Sequence, residues 1–135
     1  MNKLSLGVLL AAFGLTSVAY AGWRITPEVS VSSFTDGDGD TFSSASGGLL
    51  AAANSSDNKQ YITCTTYRLV EGTFPATGYG FCVATDKDFN SASCITHDAR
   101  HLDIILSMNE ATQFGFSAVN GTCESVWVAT GSQNL

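Results

Sequence analysis

The rhythm of apolar and polar positions changes several times along the chain. Residues 4–18 form one apolar-rich run behind a single positive charge, Lys3. Residues 28–34 alternate, with Val29 and Val31 set against Ser30 and Ser32, which predicts a strand. Pro27 at its start confines that strand to a sheet edge or an extended arm spanning residues 23–34. Residues 35–60 then lose almost all large apolar side chains and read as a long loop, with LLAAA at 49–53 able to make a helical turn. YITCTTYRLV at 61–70 is dense in β-branched and aromatic residues and is the clearest strand.

After a loop carrying Gly72 and Pro75, residues 78–86 form the next strand. A three-residue turn, Lys87, Asp88 and Phe89, sets Asp86 opposite Asn90 and therefore Cys82 opposite Cys94. The spacing next predicts a helix over about 98–108, capped by Thr96 or Asp98. Ala99, Leu102, Ile105 and Leu106 form its apolar stripe, widened by Ile104 and Met108, with Arg100, Asp103 and Ser107 toward solvent. Residues 112–119 and 122–130 flank Asn120-Gly121, a strong hairpin signal. The tightest register places Phe114 opposite Trp127, Phe116 opposite Ser125 and Ala118 opposite Cys123. Phe114, Phe116 and Trp127 are then expected on one face, with Val119, Val126 and Val128 on the other.

These elements predict an α+β fold, an antiparallel sheet of about five to six strands with one packed helix and two disulfides. The chain divides into a leader (1–21), an arm with an acidic Ser/Gly/Ala loop (22–60) and a disulfide-stapled core (61–135). The leader reading rests on Lys3, the apolar run and the small-x-small triplet Ala19-Tyr20-Ala21, with cleavage after about Ala21. It implies a secreted or periplasmic protein, in the style of bacterial export. An even number of cysteines in an exported chain reads as disulfides, and Cys64, Cys82, Cys94 and Cys123 all follow the leader. The hairpin register favours Cys82–Cys94, which leaves Cys64–Cys123. The formal net charge of −6, without a basic cluster, argues against nucleic acid and anionic membranes as partners.

Candidate chemistry is sparse. His97 and His101 lie four apart in HDARH, a pattern that resembles a shortened zincin helix. Asp98 stands where that family has its general-base Glu, and the chain has no third histidine for a zinc site. Asp36, Asp38 and Asp40 alternate with glycines and resemble the start of an EF-hand loop, so no cofactor is expected beyond a weak calcium candidate here and the zinc alternative at the histidines. Thr41 and Gly47 depart from that pattern at the loop glycine and the closing Glu. There is no nucleophile elbow, C-x-x-C or phosphate-binding loop. Tyr61, Tyr67, Tyr79 and Trp127 can line a carbohydrate or peptide surface. The expected function is therefore a non-enzymatic exported domain that binds a protein partner or a copy of itself. The alternatives are a zinc-dependent hydrolase using His97 and His101, or a calcium-binding surface module.

Overall fold

The computed structural model describes residues 28–69, 77–109 and 112–130; the leader and residues 23–27 of the arm lie outside these. The elements are β1 (Ser30–Thr35), β2 (Thr41–Gly48), α1 (Leu49–Ala53), β3 (Tyr61–Leu69), β4 (Thr77–Thr85), β5 (Ser91–Thr96), α2 (Ala99–Leu106), β6 (Thr112–Val119) and β7 (Thr122–Thr130). They build one seven-stranded sheet in the order β1-β2-β6-β7-β5-β4-β3. Every pairing is antiparallel except β5–β7, which is parallel and rests on the single pair Ile95–Thr122. Among the described residues the molecule is thus sheet-rich with two short helices. The expectation of five to six strands and one helix is corrected by β2, within the stretch read as a loop, and by α1, which forms at the helical turn expected for residues 49–53.

Small side chains on β2 have a steric cause. Its inward positions Ser43, Ala45 and Gly47 pair with Ala118, Phe116 and Phe114 of β6. A Cβ on Gly47 would stand 3.1 Å from the Cα of Val29. At Gly47 the chain passing overhead leaves little room for a side chain, and the Ser, Ala and Gly of this strand give it no bulky apolar alternation for sequence patterns to detect. β1 pairs with β2 of its own chain and occupies a sheet edge. The sheet curls until β1 lies against β4 and β5, and β2 against β3. Glu28 reaches Lys87 in the β4–β5 turn at 3.8 Å.

Both helices pack on the inner face. α1 lies over β2, β3 and β6, and α2 over β3, β4 and β7. Leu102 and Ile105 are buried, while Leu106 of the expected stripe is exposed. α2 comes so close to β4 that a Cβ on Gly80 would stand 2.8 Å from Ile105 Cδ1. The core joins Val29, Ala45, Ile62, Ala84, Phe114 and Phe116 to all four cysteines.

The β6–β7 register differs from the tightest one. Ala118 faces Cys123 as expected, but an irregularity follows, and beyond it Phe116 faces Val126 and Phe114 faces Val128. The extra residue, a β-bulge, shifts the outer part of β7 by one position and turns Trp127 to the other face. There Trp127 lies opposite Gly115, where a Cβ would stand 2.7 Å from its ring.

The disulfide pairing is also corrected. The β4–β5 register is the expected one, with Cys82 opposite Cys94. The bonds, however, are Cys64–Cys82 and Cys94–Cys123. Cys82 has a directly opposed cysteine on each side, Cys64 on β3 and Cys94 on β5. A Cys82–Cys94 bond would leave Cys64 and Cys123 three strand spacings apart, about 14 Å. Disulfides need Cα atoms within about 7 Å. Only the pairing 64–82 and 94–123 joins all four.

Four substitutions test this packing by urea unfolding. Phe116→Ala should cost about 3–5 kcal/mol, whereas exposed Phe34→Ala should change stability by less than about 1 kcal/mol. Gly115→Ala should cost about 1–3 kcal/mol. Removing the ring with Trp127→Ala should recover only part of that, because the Ala45 carbonyl oxygen also lies 2.7 Å from the added Cβ.

Candidate functional site

The seam between β5 and β7 opens into a notch of about 540 Å³ lined by Thr96, His97, Asp98, Arg100, His101 and Cys123, among others. It gathers both histidines with the polar N-terminus of α2. Asp98 caps that helix and accepts the Arg100 backbone N–H at 2.8 Å. Its two carboxylate oxygens also take a forked pair from the Arg100 guanidinium, at 3.1 and 2.7 Å. These bonds hold the Asp98 carboxyl well below the usual carboxylate range and raise the Arg100 guanidinium. Thr96, itself buried, bonds His101 Nδ1 through its hydroxyl at 2.9 Å and accepts the Asp98 backbone N–H at 3.1 Å.

The two histidines make different contacts. α2 begins at Ala99, so His97 precedes the helix and the i, i+4 spacing does not bring both rings to one helical face. His97 Nδ1 instead meets the Gly78 carbonyl at 3.3 Å, with its ring tilted against Tyr79. Among the described residues, three potential metal ligands converge in one place only, at the sulfurs of Cys82, Cys94 and Cys123. All three of these are disulfide-bonded.

The acidic loop is a hairpin turn. Asp36 Oδ1 accepts the backbone N–H groups of Asp38 and Asp40, each at 3.0 Å, and Gly39 takes a positive φ. The β4–β5 turn repeats this arrangement: Asp86 Oδ1 accepts from Asp88 and Asn90, and Phe89 takes the positive φ. Side chains that accept their own loop's N–H groups stabilise turns without a cation. Asp40 in turn accepts the side-chain amide of Asn120, whose backbone and side chain clamp Thr41. The Asn90 side-chain amide chiefly holds the Asp86 carboxyl below its ordinary value. The Lys59 backbone N–H chiefly does the same for Asp57, lowering it to about 2.

Among the described residues, the outer face of the sheet carries no helix. Across β3 and β4, Tyr67 stacks on Tyr79 with ring centroids 4.9 Å apart, and His97 extends the row. The next row is Thr65, Phe81 and Ile95, then Thr63, Val83 and Ser93. Tyr61, Tyr67, Tyr79 and Ile95 are 46, 51, 39 and 45 % exposed. The other half of the outer face carries two four-strand rows. One is Ser30, Ser46, Gly115 and Trp127; the other is Ser32, Ser44, Ser117 and Ser125. The Ser117 and Ser125 hydroxyls bond at 2.7 Å. This serine surface escapes sequence reading because β2 does, and the alternating serines of β1 are its only local signal.

The depressed carboxyls set a pH dependence. Asp98 ionises in the folded state below its unfolded value of about 3.9, so its contribution is complete above that pH and fades as pH falls. Asp98→Asn keeps a capping oxygen but not the charge. The melting-temperature gap between wild type and this variant should be present at pH 7 and close as pH drops below about 4. A gap that is constant with pH would contradict the assignment. Compared with family models, with curated proteins and with solved structures, the chain matches none.

Proposed function

We propose that the protein is a small exported, non-enzymatic binding domain that docks a protein partner on the outer face of β3, β4 and β5. The carrying observation is the exposed row of Tyr67, Tyr79 and His97 beside Ile95, on the face opposite both helices. Tyrosine offers large, rigid contact area with a polar tip, and Ser and Thr supply adaptable hydrogen bonds. The three central rows contain no Asp, Glu, Lys or Arg, and the cores of protein interfaces are depleted in such charges. The occupant that fits is a surface of mixed apolar and hydrogen-bonding character, not a charged polymer.

Export is supported from two sides. Two disulfides mark a chain that matures in an oxidising environment. The leader pattern at residues 1–21 supplies the route, with cleavage after about Ala21. Among the described residues no helix is long and apolar enough to cross a membrane.

The test is site-specific photo-cross-linking in the producing cells. A benzophenone side chain at position 67 or 79 should give one discrete adduct, and the same group at exposed Ser107 should give none. An adduct with the mass of two copies would move the reading to self-association. Equal labelling from position 107, or no adduct from either tyrosine position, would overturn the docking face.

A further inference from the structure

The four cysteines stand side by side on adjacent strands, in the order Cys64, Cys82, Cys94 and Cys123 across β3, β4, β5 and β7. Cys82 lies directly opposite both its bonded neighbour Cys64 and its unbonded neighbour Cys94. The sulfurs of Cys82, Cys94 and Cys123 all lie within 4.8 Å of one another. The two bridges are therefore contiguous, and the gap between them is as short as a direct cross-strand pair.

We propose that this row is an internal thiol–disulfide relay, which carries a reduction made at the sheet edge to Cys123 in the notch. β3 is one of the two edge strands, and Cys64 at 9 % is the most exposed of the four. A dithiol reductant attacks the Cys64 sulfur, forms a mixed disulfide and releases the Cys82 thiolate. That thiolate attacks the Cys94 sulfur, the Cys82–Cys94 bond forms, and the Cys94–Cys123 bond breaks to release the Cys123 thiolate, which takes up a proton. The second thiol of the reductant then resolves the mixed disulfide and leaves a Cys64 thiol. The net change is two electrons and two protons gained by the protein and one disulfide gained by the reductant.

Strand order favours one direction of exchange. Cys82 is in register with Cys94 on the neighbouring strand, whereas β4 and β7 flank β5 and are not paired with each other. Attack on Cys94 makes a bond between residues already in register. The thiol released at Cys123 lines the notch beside His101 and Arg100. Its release also removes the covalent link across a seam that is otherwise one residue pair wide.

Treatment of the folded, oxidised protein with one equivalent of dithiothreitol, followed by acid quench, alkylation and peptide mapping, tests the relay. The singly reduced species should carry label on Cys64 and Cys123, with Cys82 joined to Cys94. Label confined to the pair 64/82 or the pair 94/123 would overturn it, as would passage straight to four labelled cysteines. A Cys123→Ser variant gives a second reading under non-reducing conditions. Both Cys64–Cys82 and Cys82–Cys94 isomers should be present in the folded fraction, whereas a single Cys64–Cys82 isomer would count against exchange.

Discussion

The two halves of this sheet meet at a seam one residue pair wide. Ile95 pairs with Thr122, and the Ile95 N–H donates to the Gly121 carbonyl at 2.9 Å. So narrow a hydrogen-bonded contact cannot hold β3-β4-β5 against β1-β2-β6-β7. Besides α1 and the packing of β1 and β2 against β3, β4 and β5, two contacts act at the seam itself. The Cys94–Cys123 bond crosses the seam and closes a segment with a sequence separation of 29, worth about 3–4 kcal/mol in the chain-entropy model. On the inner side α2 lies across β3, β4 and β7 and buries Leu102 and Ile105. The notch is the gap these two leave, which is why its lining combines a helix N-terminus, the end of β5 and a half-cystine.

Close packing on the inner face explains both the small residues and the free outer face. Gly47 and Gly80 admit an overlying chain segment and α2 at distances that a side chain would crowd. With both helices inside, the aromatic and hydroxyl rows outside have no covering element among the described residues. A partner on β3-β4-β5 would therefore meet a surface that strand pairing already holds rigid, and little ordering would be needed on binding.

The polar motifs divide into two kinds. Asp36, Asp86 and Asp57 close turns on their own backbone N–H groups, and Asp98 caps a helix. Their carboxylates serve local structure. His101, Thr96 and the Cys123 half-cystine instead face a cavity, and their hydrogen bonds position side chains at its wall. The resemblance of HDARH to a zincin helix ends at the helix boundary, since Asp98 is the cap and His97 lies before it.

Several features were legible in the sequence because they depend on neighbours along the chain. The strands at 61–69, 77–85 and 112–130, the turn at Asp86, the Asn120-Gly121 hairpin, the Asp98 cap and the Cys82–Cys94 register all follow from local pattern and turn chemistry. The rest was decided by partners distant in sequence. β2 is a strand because it pairs with β6, and its run of Ser, Ala and Gly carries no periodic signal. Trp127 faces outward because of a bulge that no residue type announces. The cysteine bonds were settled by strand order, since four sulfurs in a row can be fully joined in one way only. Sequence places Cys82 beside Cys94 correctly, but it does not show that β3 and β7 flank that hairpin and bring a closer obligation to each.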